Sequence, residues 1–243
     1  MKFAYLIEPP FNFIDANGRV TGCDVELARH VFSELGIADF EPVETEFAEL
    51  LPGLTNRRWR MTTGLFETKE RRRIARFSRP IWALPDGLLV QRGNPRGLTG
   101  YKAVAECRDA RLAVIRGQFQ HRSAVEFGIA EDRIDIFETY TQAAMAVREG
   151  RVDAYASVGR AHSGFIEQHQ DWALEVVVIS NKEKPAAFGS FAFNPRDTTL
   201  LNEVDDILGR FLGTETHRTM VATFGFFSEE VDLVVHDRTE NRH

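Results

Sequence analysis

Short apolar runs alternating with amphipathic helical stretches, in two successive sets, constrain this chain more than any other feature. Residues 3–7 read as a buried strand, stopped by Pro9-Pro10, and Asp15-Ala16-Asn17-Gly18 carries turn chemistry. From Asp24 the apolar residues Val25, Ala28, Val31, Phe32 and Leu35 recur at helical spacing, and Gly36 suits the position where a left-handed residue ends a helix. Leu50, Leu51 and Leu54 predict a second helix whose Pro52 is tolerable only in its first turn, and residues 61–65 predict the next strand. A strand over 87–90 runs into the turn-rich segment 92–97, the first candidate crossing between domains. Beyond it the alternation restarts: strands over 112–115, 134–137, 152–157 and 174–179, with helices from about 118, over 141–149 and over 160–169. The break at 181–185 is a second crossing, followed by a strand over 188–193. A helix capped by Asp197 then carries Leu200, Leu201, Val204, Ile207, Leu208, Phe211 and Leu212 on one stripe, and a last helix covers 215–223.

Strands that alternate with helices bury their faces as a sheet covered by helices. Two such sets joined by two crossover segments predict an α/β fold of two doubly wound lobes. Residues 1–90 and 186–243 would form a discontinuous lobe 1 and residues 91–185 lobe 2, with the ligand cleft expected between them.

Composition removes several other classes. With 243 residues and 43% hydrophobic content the chain can build sizeable cores, which excludes general disorder, and no run approaches the ~18 apolar residues of a membrane span. A net charge of −6 argues against nucleic acid as the main partner, because phosphate binding rests on Lys and Arg. The arginine-rich stretch 57–79 is read mainly as an exposed face. Cys23 and Cys107 show neither zinc spacing nor a disulfide framework, and the seven histidines show no ligand spacing. No metal and no cofactor are expected. Met1-Lys2 runs straight into Phe3 with no leader-like apolar region or cleavage site, which leaves a trimmed exported protein or a cytoplasmic one as alternatives.

Several ordered blocks resemble the family 3 extracellular solute-binding proteins, the type II periplasmic receptors that feed amino-acid ABC importers. They are Pro9-Pro10-Phe11-Asn12-Phe13, Thr21-Gly22-Cys23-Asp24-Val25-Glu26-Leu27-Ala28, Phe47-Ala48-Glu49-Leu50-Leu51-Pro52-Gly53-Leu54, Thr68-Lys69-Glu70-Arg71, Phe77-Ser78-Arg79-Pro80 and Gly150-Arg151-Val152-Asp153-Ala154. The likeness covers residues 3–227. It implies a periplasmic location, a permease as partner and a monomeric, non-enzymatic receptor that closes on a small zwitterion.

The resemblance also implies the ligand residues. Arg71 takes the place of the arginine that clamps the ligand carboxylate, a role suited to a planar guanidinium fork. Thr63 and Gly64 fall in the loop ahead of it. Gly117 and Phe119 fall at a strand-to-helix join whose amides can meet the same anion. Two positions depart from the amino-acid pattern: Phe66 stands where a small hydroxyl residue is usual, and Val158 where an aspartate usually meets the α-ammonium. An unpaired buried ammonium is costly, so a standard α-amino acid fits poorly. Glu8, Phe11, Phe47, Phe66 and Arg71 together resemble the subgroup that binds ectoine and hydroxyectoine, in which aromatic faces hold a delocalised cation. Core packing is the ordinary use of any one of the 19 phenylalanines. The expected cargo is an ectoine-like compatible solute or modified amino acid. The alternatives are a polar amino-acid receptor, a sensor's binding module, or a cyclohexadienyl or arogenate dehydratase-like enzyme with Glu8 or Glu67 as general acid.

Overall fold

The computed structural model describes residues 1–236; of the first lobe expected to end at 243, residues 237–243 lie outside the described residues. In chain order the first stretch forms β1 (Lys2–Tyr5), β2 (Phe13–Ile14), β3 (Val20–Thr21), α1 (Cys23–Glu34), β4 (Glu41–Glu44), α2 (Leu50–Thr55), β5 (Met61–Thr62), β6 (Leu65–Phe66), β7 (Arg76–Phe77) and β8 (Trp82–Leu84). Next come β9 (Asp86–Gln91), α3 (Tyr101–Glu106), β10 (Leu112–Ile115), α4 (Phe119–Glu126), β11 (Ile134–Phe137), α5 (Tyr140–Arg148), β12 (Ala154–Val158), α6 (Gly159–Gln168) and β13 (Leu174–Val178). The last stretch forms β14 (Ala187–Ser190), β15 (Ala192–Phe193), α7 (Thr198–Phe211), α8 (Glu215–Ala222) and α9 (Ser228–His236).

These elements divide into two units, Met1–Ala83 together with the segment from Phe188 onward, and Leu84–Ala187. In the first unit a five-stranded sheet runs β4-β1-β5-β15-β7 and a three-stranded sheet runs β6-β14-β8. β1 is parallel to both β4 and β5, whereas β15 is antiparallel to β5 and β7. Phe3, which has no exposed surface, packs edge-on to Phe191 and tilted against Phe40, and Phe40 also meets Phe32 from α1. A second apolar cluster of Ala4, Leu6, Leu50, Leu54, Trp59, Leu65 and Ala75 ties α2 to the sheet. The stripe on α7 buries Leu200, Val204, Ile207, Leu208 and Phe211. At roughly 1.5–3 kcal/mol for each large side chain, that burial far exceeds what a helix end contributes.

The second unit holds one five-stranded sheet, β11-β10-β12-β9-β13. β10 and β12 are fully buried, and β10 runs parallel to β11 and β12, the pattern of strands covered on both faces. Strand β9, which lies ahead of the boundary expected at 90, runs antiparallel between β12 and β13; it belongs with this second unit, which the chain enters at Leu84. Both large sheets are therefore mixed.

Two local expectations are corrected. Asp197 sits at the N-cap of α7, but its side chain makes no bond to the helix. Its Oδ2 instead accepts from Arg60 Nε at 2.9 Å, an ion pair that outcompetes the cap. Helix α9 follows the segment where the sequence suggested the last helix, and it buries Val231 and Val234.

Candidate functional site

In the first unit Arg71 opens a single 3-10 turn, Arg71–Arg73, just after β6. The Thr68 hydroxyl accepts the Arg71 amide at 3.2 Å, and Arg71 Nη1 donates to the Phe66 carbonyl at 2.7 Å. The guanidinium lies 5.3 Å from the centre of the Phe47 ring, within cation–π range. Burial lowers its pKa to about 10, opposed by the neighbouring Glu70 carboxylate, so the group stays cationic at neutral pH. Phe47 also packs on the Leu50, Leu54 and Trp59 cluster, so its ring serves both the core and the guanidinium. Phe11 and Phe66 flank one ring: Trp82 lies 5.3 Å from Phe11 and 5.4 Å from Phe66, the latter edge-to-face. All three are nearly buried, and Phe11 further meets Phe226 at 5.9 Å. Glu8 is buried beside Phe11; its carbonyl accepts the Phe11 and Asn12 amides at 3.0 and 3.1 Å.

Gly22 fixes where Phe11 sits. Its φ is 125°, and a Cβ there would lie 2.2 Å from the Phe11 carbonyl oxygen, so only glycine permits the approach. That approach lets the Cys23 and Asp24 amides at the start of α1 donate to Pro10 and Phe11 carbonyls at 2.9 and 3.1 Å. The helix thus satisfies its own orphan donors on the loop that bears Phe11.

Thr63 and Gly64 are engaged by a group the sequence reading did not single out. Asp24 has no exposed surface. Its Oδ2 accepts from the Thr63 hydroxyl at 2.6 Å and the Gly64 amide at 2.7 Å, and its Oδ1 accepts from Trp82 Nε1 at 3.1 Å. The Thr63 hydroxyl in turn accepts from Asn12 Nδ2 at 2.8 Å. Burial pushes the Asp24 carboxyl up to about 6, while these hydrogen bonds pull it down. The signal in the sequence was an acidic residue in the first turn of an otherwise apolar helix face, which helix-dipole preference explains equally well.

In the second unit Gly117 takes φ +80° and Gln118 is the N-cap of α4, whose first residue is Phe119. The Phe119 ring has a cation of its own, because Lys184 Nζ lies 4.8 Å from its centre. Lys184 also donates at 2.6 Å to Asp86, a carboxylate with no exposed side-chain surface. Asp86 further accepts from Tyr101 Oη at 2.7 Å and Gln120 Nε2 at 2.8 Å, which braces α4 against β9 and α3. Val158 ends β12 as the N-cap of α6, is nearly buried, and is followed by a first turn with no acidic residue.

Most arginines of the 57–79 stretch do not belong to this arrangement. Arg58, Arg60, Arg72 and Arg79 pair with Glu49, Asp197, Glu67 and Asp205. Arg57, Arg73 and Arg196 line a separate surface cavity of about 370 Å³ with Ile74 and Pro195, and none of the ten candidate ligand residues reaches it.

The first unit thus holds a guanidinium within cation–π range of the Phe47 ring and braced by the Phe66 carbonyl, while the Phe66 ring joins Trp82 and Phe11. The chain's sequence is 29% identical over 93% of its length to a "Probable amino-acid ABC transporter periplasmic-binding protein" of Sinorhizobium fredii, covering 77% of that protein. Its structure is similar to that of EhuB in complex with hydroxyectoine, with a TM-score of 0.86, 27% identity and coverage of 96% of this chain and 90% of the other. It also resembles the ancestral amino-acid-binding protein AncCDT-1, a precursor of cyclohexadienyl dehydratase, with a TM-score of 0.77, 25% identity and coverage of 92% and 94%. The model of one family, the bacterial extracellular solute-binding proteins, family 3, matches residues 2–226. A match over nearly the whole described chain shows that this protein belongs to that family.

Proposed function

We propose that this protein is the substrate-binding component of an amino-acid-type ABC importer, working outside the cytoplasmic membrane as a monomer that delivers its cargo to permease subunits. The cargo is a small zwitterion with a delocalised or ring-bound cation, and an ectoine-like compatible solute fits best. The observation that carries this reading is the Arg71 guanidinium, held by the Phe66 carbonyl at 2.7 Å and placed over Phe47, in the same unit as the Phe11, Trp82 and Phe66 rings. A guanidinium supplies a bidentate grip for a carboxylate, and aromatic faces attract cations that hold water weakly. Val158, with no acidic residue in the turn that follows, supports the choice of a cation other than an α-ammonium. The likeness to the hydroxyectoine-bound EhuB structure supports the same choice. In this reading Glu8 meets the ring N–H groups of the cargo.

A non-enzymatic role is supported by the S. fredii relative, named as a binding protein, and by the Glu67 carboxylate, which Arg72 engages at 2.6 Å. A polar amino-acid receptor is the second reading, favoured by that relative's name. Thermal unfolding with a panel of ectoine, hydroxyectoine, glycine betaine and the standard amino acids separates the two. A ligand present at ~1,000 times its Kd stabilises the fold by about 4 kcal/mol, an obvious rise in Tm. The largest rise is expected with ectoine or hydroxyectoine; a larger one with any standard amino acid would overturn the assignment of cargo.

A further inference from the structure

We infer that Trp82 is a positioning residue for ligand selectivity: anchored by the buried Asp24 carboxylate, it sets the orientation of Phe11 and Phe66 and so ties the cation-facing rings to the loop that leads to Arg71. The inference rests on the zwitterion reading above and adds Asp24 and Trp82 to its residues.

Four observations converge on the indole. Its Nε1 donates to Asp24 Oδ1 at 3.1 Å, so one end of the ring is fixed by a charge-assisted bond. Its flanks meet Phe11 at 5.3 Å and Phe66 at 5.4 Å, at interplanar angles of 44° and 76°. Two glycines make room for the ring: a Cβ at Gly64 would lie 2.8 Å from Nε1, and one at Gly189 would lie 2.1 Å from Cη2. The strand carrying Gly189 pairs directly with Phe66, and the Ile81 amide donates to the Gly189 carbonyl at 2.8 Å, so the slot is part of the sheet itself.

The same carboxylate holds the backbone of the loop. Asp24 Oδ2 binds the Thr63 hydroxyl and the Gly64 amide, two residues ahead of Phe66, whose carbonyl braces Arg71. One buried acid therefore fixes both the ring that spaces Phe11 from Phe66 and the start of the segment that aims the guanidinium. Trp82 contacts both Phe11 and Phe66, and it is through these two neighbours that it acts.

The chain's other tryptophans are Trp59 and Trp172. Replacing both with Phe leaves Trp82 as the sole indole fluorophore, and acrylamide quenching without ligand then reads its anchorage. Asp24→Asn in this background is expected to raise the quenching constant several-fold and shift the emission to the red; an unchanged constant overturns the anchor. In the wild-type background, Trp82→Leu is expected to raise the Kd for hydroxyectoine about tenfold and Trp82→Phe about threefold, in line with the worth of aromatic pairs. The ratio of affinities for hydroxyectoine and glycine betaine is expected to change in Trp82→Leu, which a loss of general packing would not produce. Unaltered affinity and ratio in Trp82→Leu overturn the positioning role. If Asp24→Asn does not fold, the graded Phe and Leu series still decides. If wild-type protein binds no zwitterion, the functional reading fails and selectivity with it, while the quenching result still decides the anchor.

Discussion

Between pH 4 and pH 7 the fold should lose stability through Asp24. The carboxyl has no exposed surface, and burial moves its pKa from 3.8 to about 6 despite the bonds from Thr63, Gly64 and Trp82. The unfolded chain releases this proton near its ordinary value, whereas the folded chain keeps it until about pH 6. Over that window the folded state binds more protons, so the free energy of unfolding falls as pH rises. At 1.36 kcal/mol per pKa unit the loss amounts to about 3 kcal/mol and is complete by about pH 7. Other carboxylates titrate in the same range, so the comparison is with Asp24→Asn, which carries no charge at this site at any pH. Urea unfolding of both proteins at half-unit steps should show the wild type losing about 2.4 kcal/mol relative to the variant between pH 4 and pH 7, the remainder being lost below pH 4. The variant also changes one hydrogen bond, because an amide nitrogen cannot accept from a donor, but that offset is constant with pH. Parallel stability curves would refute the claim that a buried, proton-linked carboxylate organises this loop.

Arg71→Ala should raise the Kd for the zwitterion by at least ~100-fold, since two charge-assisted bonds are worth about 3–6 kcal/mol together. Arg73→Ala, which removes the same charge from the separate cavity, should leave the calorimetric Kd within about twofold. Lys184→Met leaves Asp86 buried without its cation and should cost about 3–5 kcal/mol of stability by urea unfolding, whereas the double change with Asp86→Leu should recover most of it. Gly189→Ala drives a methyl to within 2.1 Å of the Trp82 ring and should shift its emission and lower the Tm by several degrees.

What the sequence could disclose follows the range of the interactions involved. Helix α7 was legible because its buried stripe, from Leu200 to Phe211, is a local 3.6-residue pattern. Gly36 was legible as a helix end because positive φ after a helix is a glycine signature, and it has one. The brace between Arg71 and the Phe66 carbonyl spans five residues, within reach of a motif. The Asp24 network is different: its partners lie 39, 40 and 58 residues away, and no local pattern links an acid in a helix's first turn to a tryptophan in a later strand. The antiparallel seat of β9 between β12 and β13 is equally non-local, which is why a strand next to a turn-rich segment looked like the end of a lobe. The Lys184 cation over Phe119 comes from a residue 65 positions later, beyond the reach of any local pattern.

The proposed function requires recognition of a carboxylate and a weakly hydrated cation on one aromatic-lined unit. Isothermal titration of the purified protein with hydroxyectoine, in direct competition with arginine, tests it most directly. Saturable one-to-one binding of hydroxyectoine that arginine does not displace and that Arg71→Ala abolishes is the expected result; hydroxyectoine heat that is absent, or fully displaced by arginine at equal concentration, would contradict the proposed function.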